Sequence, residues 1–310
     1  MIKIDLITGF LGAGKTSFLL LYAKQLMAQG LKIGILEYDY GAVNVDMLLL
    51  QELRGDKCEL EMLAAACDAD CLKRRFRTKL ISMAMSGYDR ILIEPSGIFD
   101  MDDFFDALSE PPLDRWCEAG SVITLVSAKL PDTLNPEADF ILASQTADAG
   151  CIILSRTQSA DAQDIERTLR HLVRASEKIG VHRNFEKLIL AKPWDELDAQ
   201  DFERIKNASY SLHDYVKLTA GAEESAFSSV YFLENDFELP ELEGKINELF
   251  SCRDYGNIHR VKGCVRDGTG WVIYNRTTDE RSVKPIANGK CALIVIGEEL
   301  DEERIREYLE

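Results

Sequence analysis

Residues 9–16 read GFLGAGKT, directly behind the apolar stretch IKIDLIT (2–8) and directly ahead of SFLLLYAKQLMAQG (17–30). This order decides the fold. Glycines at positions 9, 12 and 14 let successive backbone N–H groups turn inward around phosphate oxygens, and a helix that follows at once adds its positive N-terminal end. The segment fits G-x-x-x-x-G-K-[ST] through Gly9, Gly14, Lys15 and Thr16, with Gly12, Ala13 and Ser17 completing the phosphate-facing backbone. Lys15 is expected to neutralise the β- and γ-phosphates of a nucleoside triphosphate and the Thr16 hydroxyl to ligate its Mg²⁺.

Outward from the loop, KIDLIT, KIGILEYD, YDRILIEPSG, AGSVITLVSA and AGCIILSRT are β-branched runs bounded by turn residues, and read as buried strands. Helix patterns separate them: TSFLLLYAKQLMAQG and DCLKRRFRTKLISMAMSG each end on glycine, and SADAQDIERTLRHLVRASEKIG opens with a capping serine or aspartate. The alternation predicts an α/β protein, a P-loop doubly wound and mainly parallel sheet, with ligands at the carboxyl ends of its strands. After about residue 225 strands follow one another, joined by DGTG and ANGK turns that read as antiparallel hairpins, before a final helix DEERIREYLE. The expected domains are therefore 1–222, which binds nucleotide, and 223–310, a smaller α+β domain.

Composition narrows the function. The chain of 310 residues carries 53 acidic against 36 basic side chains, a formal charge of −17, which disfavours non-specific binding to nucleic acid or anionic membrane. A phosphate ligand must then be held by a local site. MIKIDLITG lacks the features of a signal peptide, no apolar run approaches the ~20 residues of a spanning helix, and a cytoplasmic location is expected. Of the eight cysteines, Cys117, Cys151, Cys252, Cys264 and Cys291 are scattered and read as small buried hydrophobes.

A phosphate loop needs a carboxylate near its metal and a group that senses the γ-phosphate. ILIEPSG (91–97) offers both, with Glu94 at the end of an apolar strand and Gly97 able to present its N–H. GFLGAGKTSFLL followed by ILIEPSG resembles the CobW family of P-loop GTPases, relatives of the metal-centre assembly GTPases UreG and HypB. ILEYDYGAVNVD resembles the family's switch segment, QTADAGCIILSRTQ the segment leading to its guanine reader N-K-x-D, and IHRVKGCV with CALIVIGEELDEERI its C-terminal domain. The resemblance implies a Mg²⁺-dependent GTPase acting as a metallochaperone or metallocofactor-assembly factor with a metalloenzyme client, Lys15, Asp39 and Glu94 serving the reaction and Thr16, Asp39 and Glu94 the magnesium.

Departures from the family pattern qualify this. The positions matching N-K-x-D are Ser155, Arg156, Thr157 and Gln158; a carboxylate accepts two bonds from guanine, whereas Gln158 has one acceptor oxygen and two donors. Weakened guanine selectivity is expected, with ATP a rival to GTP, and Arg156 covering a base face by its stem and planar head. The family's C-x-C-C metal motif is replaced by Cys58, Cys67 and Cys71, of which the last two share a helix face and can be imagined with Glu59, Asp68 or Asp70 around Zn²⁺ or Co²⁺. Ala42 stands where the switch has its second glutamate and can ligate nothing. The alternative reading is a nucleotide-sensing binding or regulatory protein without metal delivery, with relaxed or ATP specificity, serving a corrinoid or other metalloenzyme client; a P-loop kinase is disfavoured because no arginine-rich lid segment is evident. His259 reads as a half-exposed sheet histidine, His171 and His182 as solvated surface, and WDELDAQDFE (194–203) as an acidic helix start with no functional role.

Overall fold

The computed structural model describes residues 1–38, 46–63, 69–97, 99, 101–215, 227–233, 236–278, 280–287 and 289–310. Apolar runs form seven strands, β1 (Ile2–Gly9), β2 (Ile33–Tyr38), β3 (Cys58–Leu63), β4 (Arg90–Pro95), β5 (Cys117–Ser127), β6 (Cys151–Ser155) and β7 (Ile189–Leu190), in the order β3-β2-β4-β1-β5-β6-β7. Every neighbouring pair is parallel. β2, β4 and β6 are buried at each position, as strands covered on both faces must be. In chain order between them come α1 (Lys15–Ala28), α2 (Asp46–Leu50), which belongs to the second compact unit, α3 (Ala69–Ala84), α4 (Met101–Ser109), α5 (Leu113–Trp116), α6 (Pro136–Ala147) and α7 (Ala162–Lys178), followed by α8 (Ala199–Lys206) after β7. One face of the sheet packs Ile4, Leu6, Leu36, Ile91 and Ile93 against Phe76, Leu80 and Phe104 of α3 and α4.

The expected parallel sheet is thus present, with two strands that the periodicity did not reveal. β3 reads CELEML, and its two glutamates mask an edge strand; Glu59 accepts from Tyr88 Oη and Glu61 Oε2 lies 2.8 Å from Lys79 Nζ. β7 is two residues long. The expected helix caps hold where they are most explicit: Asp161 accepts from the Asp164 amide, whose side chain accepts in return from the Asp161 amide, and Gly30 beyond α1 has φ +93°.

The C-terminal strands β8 (Phe227–Phe232), β9 (Asn257–Asp267), β10 (Gly270–Thr277), β11 (Arg281–Ile286) and β12 (Ala292–Glu298) form an antiparallel sheet ordered β11-β10-β9-β12-β8, with α9 (Leu239–Ser251) and α10 (Glu302–Leu309). Its core joins Val230, Phe232, Leu242, Ile246, Val261, Leu293 and Ile305. DGTG makes the expected hairpin between β9 and β10. ANGK does not: β12 leaves β11 and inserts between β9 and β8. The reason is burial, since all of β12 but its last residue is buried, while β11 is exposed or half-buried throughout and carries Pro285, a residue suited to an edge. The chain divides into two compact units, Met1–Tyr40 with Glu52–Leu218, and Gly41–Gln51 with Thr219–Glu310.

Candidate functional site

The loop after β1 is shaped by positive φ at Gly9 (+146°), Gly12 (+74°) and Gly14 (+96°), a conformation that only glycine adopts at little cost. A Cβ on Gly9 would stand 2.4 Å from the Leu125 carbonyl oxygen on β5, so backbone approach as well as torsion requires glycine there. α1 then starts at Lys15, with Gly14 as N-cap. Lys15 is buried and its Nζ donates to the Gly9 carbonyl at 3.0 Å, folding the side chain back along the loop. Ala13 is buried and Ser17 exposed.

Thr16 Oγ1 donates to Glu94 Oε1 at 2.8 Å, which joins the first turn of α1 to the end of β4. Both side chains are buried. In the parallel register Glu94 stands opposite Glu37 on β2, itself only 3% exposed; residues opposite one another project from the same face of a sheet. Glu37 had no role in the sequence reading, and only strand register brings it beside Glu94. The hydroxyl and carboxylates form a hard oxygen donor set of the kind Mg²⁺ prefers, so the residues present fit that ion. Asp39 and Ala42 lie outside the described residues.

Past β4, the Ser96 amide donates to the Tyr38 carbonyl at 2.7 Å, and Gly97 meets the phosphate loop: a Cβ there would stand 2.9 Å from Leu11 N. Gln145, fully buried on α6, donates from Nε2 to the Gly97 carbonyl at 3.0 Å, while Thr124 Oγ1 of β5 donates to the Gln145 carbonyl at 2.7 Å. The segment expected to sense the γ-phosphate is therefore anchored from behind.

The loops after β6 and β7 close on the same phosphate loop. Arg156 takes φ +60° and donates from Nη2 to the Gly12 carbonyl at 2.8 Å. Gln158 is exposed on a short 3-10 turn, Thr157–Ser159. Trp194 comes from the acidic segment to which no role was assigned. Its Nε1 donates to the Leu154 carbonyl at 3.1 Å, its ring meets Phe18 of α1 edge-on at 5.6 Å, and its Cη2 stands 3.0 Å from the position of a Gly14 Cβ.

The cysteine grouping does not survive in full. Cys58 is buried at the first position of β3, and burial, then Glu59, pushes its thiol up to about 11, which disfavours the thiolate that a metal needs. Tyr88, just past α3, bonds the neighbouring Glu59, so Cys58 lies toward the C-terminal end of α3. Cys71 is half-buried in the first turn of that helix. Some 12 residues of helix at ~1.5 Å each separate the two regions, and one ion cannot bridge them. Cys67 lies outside the described residues, and among those described no group of three or more His, Cys, Asp or Glu is placed to hold a metal. Cys117, Cys151, Cys264 and Cys291 are buried as expected; Cys252 is half-buried.

His171 is a correction. It was expected on the solvated face of a charged helix, yet it is 2% exposed and its Nε2 lies 2.6 Å from Asp139 Oδ1 of α6, whose other oxygen accepts from Lys178 Nζ. The charged periodicity of α7 hid the fact that its buried stripe includes Thr168, His171, Leu172 and Ala175. His182 is exposed, and His259 half-buried beside Glu298 at 2.8 Å, both as expected.

Phosphate loop, opposed carboxylates at strand ends and a parallel sheet with crossing helices define a P-loop nucleotide-binding protein of the α/β class. The sequence model of the CobW/HypB/UreG, nucleotide-binding domain family matches residues 3–182, and the chain belongs to that family. It is similar to the zinc-regulated GTPase metalloprotein activator 1 of Schizosaccharomyces pombe, at 22% identity over 94% of this chain and 79% of that protein. Similarity to the zinc chaperone YjiA of Escherichia coli is 29% identity over 58% of this chain and 57% of that one, little more than half of each. A solved structure of a zinc-bound variant of the E. coli YjiA GTPase aligns over 99% of this chain and 97% of its own, at 20% identity and a TM-score of 0.43. No helix among the described residues is long and apolar enough to cross a membrane.

Proposed function

We propose that the chain is a Mg²⁺-dependent nucleoside triphosphatase, GTP favoured by family membership, that works as a metallochaperone or metallocofactor-assembly factor for a metalloenzyme client. The bond of Thr16 to Glu94 carries the reading, because it brings a P-loop hydroxyl and a strand-end carboxylate together at the mouth of a glycine-built cradle. Thr16, Glu94 and Glu37 would hold the ion, with Asp39 of the switch segment as a further candidate. Bound there, Mg²⁺ would neutralise charge on the β- and γ-phosphates.

The remaining roles fall to the chain itself. Lys15 exchanges the Gly9 carbonyl for phosphate oxygens and meets charge that develops as the γ-phosphoryl leaves. Main-chain N–H groups of residues 12–16 orient the triphosphate without needing to reorganise. Gly97, held by Gln145, offers its N–H toward the γ-phosphate, so its position registers whether that group is present. Turnover is expected to be slow, since neither an arginine finger nor a water-positioning glutamine was identifiable in the sequence. Hydrolysis of GTP and of ATP, each with and without Zn²⁺ or Co²⁺, tests the reading; absence of turnover with both nucleotides in Mg²⁺ would overturn it.

The separation of Cys58 from Cys71 favours a second reading, a nucleotide-sensing regulatory protein that does not deliver metal. Triphosphate binding with unchanged Zn²⁺ affinity after Cys67→Ala and Cys71→Ala would select it.

A further inference from the structure

We infer that Trp194 is the base-facing wall of the nucleotide site and that, with Arg156, it holds the nucleobase by its flat face instead of reading its edge. The inference rests on the nucleotide-site reading above and adds how the base is recognised. Three loops converge at one end of the sheet: the phosphate loop after β1, the turn after β6 and the segment after β7. Arg156 from the second and Trp194 from the third each touch the first, at the Gly12 carbonyl and at Gly14 respectively. In a parallel α/β sheet ligands lie in the crevice outside the carboxyl ends of the strands, and a triphosphate seated on residues 12–16 places its nucleoside beside these two side chains.

Trp194 is also fixed. Its indole N–H is committed to the Leu154 carbonyl and its ring is wedged against Phe18 and the start of α1, within 3.0 Å of where a Gly14 Cβ would stand, while the side chain remains half-buried. A committed N–H leaves the ring with no donor or acceptor for a base edge, and its contribution is the π-face and apolar area. That face accepts guanine and adenine alike, because every base has one. The side chain that would otherwise read guanine, Gln158, is exposed on the neighbouring turn. Arg156, held over the loop by its bond to Gly12, brings a planar guanidinium and an apolar stem to the same crevice. The expected outcome is that any preference for GTP over ATP stays below about tenfold.

The full chain, titrated with GTP, ATP and inorganic tripolyphosphate in Mg²⁺, tests this. Trp194→Ala should weaken GTP and ATP by about tenfold, within the range for loss of one base–aromatic stack, and leave tripolyphosphate unchanged; Trp194→Phe should recover most of the loss. Nucleotide should also quench intrinsic fluorescence in the parent and in Trp116→Phe and Trp271→Phe, but not in Trp194→Phe. Equal weakening of tripolyphosphate in Trp194→Ala, or a quench that persists in Trp194→Phe, would overturn the inference while leaving the triphosphate site intact. If the parent bound neither nucleotide nor tripolyphosphate, the reading of the site would fall, and the inference with it.

Discussion

Two places on strands β1 and β4 bury charge, and they do so in opposite ways. Toward the start of the strands Asp5 is fully buried and closed off by protein: its Oδ2 accepts from Tyr22 Oη at 2.9 Å and Arg90 Nη1 at 2.6 Å, its Oδ1 from the Ser121 amide at 2.8 Å. Arg90 also donates to the Lys206 carbonyl at 3.1 Å and so ties the end of α8 to the sheet. At the far end Lys15, Thr16, Glu37 and Glu94 are buried too, but beside a loop shaped by positive φ at Gly9, Gly12 and Gly14. Buried charge alone marks neither place as functional. A cluster that encloses its own partners supports the fold, whereas one gathered where a glycine turn, a helix start and the carboxyl ends of parallel strands meet stands where such sheets bind ligands.

Substitution at the closed cluster should have the largest effect, on stability. Arg90→Met leaves the Asp5 carboxyl buried without its cation and should cost about 3–5 kcal/mol, measured by chemical denaturation. Burial already raises the Asp5 carboxyl above its ordinary range and Arg90 offsets part of that. Without Arg90 the folded-state value rises further above the unfolded one, so the variant should be relatively more stable in acid and lose stability as pH rises above about 4. A loss under 1 kcal/mol, or one that shrinks with rising pH, would contradict this account of the cluster.

The reverse pattern is expected at the cradle. Lys15→Ala should lower triphosphate affinity by about a hundredfold, near the ~3 kcal/mol upper value for a hydrogen bond to a charged group, with the denaturation midpoint close to that of the parent. Isothermal titration beside a melting curve decides it. If Lys15→Ala destabilised the chain as much as Arg90→Met, the contrast between the two ends would dissolve. A smaller effect belongs to Gln145→Leu, which removes the donor to Gly97 and should slow hydrolysis by about tenfold; because Gln145 acts behind Gly97 and not on phosphate, diphosphate affinity should stay unchanged while triphosphate affinity falls.

What could be read before folding follows the same division. The cradle was legible because its residues are contiguous: glycine torsions, lysine and hydroxyl are fixed by one local turn between a strand and a helix. Glu94 was legible from its place at the end of an apolar run. Glu37 was not, since its pairing with Glu94 depends on strands 57 positions apart in sequence lying side by side in register. Trp194 sat in a stretch whose acidic composition gave sufficient reason for a helix start, and only the convergence of three loops gives it a second role. His171 failed for a related reason, because a charged helix pattern does not show which neighbour it faces. β12 was misplaced because turn chemistry predicts that the chain reverses, not which strand it pairs with next.

The smallest effect expected concerns the base. Gln158→Asp restores the carboxylate that the family uses to accept from guanine, and should raise the preference for GTP over ATP. Gln158 is exposed on its turn, and a charge in contact with water contributes at most about 1 kcal/mol, so the ratio should shift by fivefold or less. Competition between the two nucleotides in Mg²⁺ measures it directly. A shift of a hundredfold would mean that the turn closes over the base and excludes water when nucleotide binds, and that edge reading at position 158, not the faces of Trp194 and Arg156, sets which base is held.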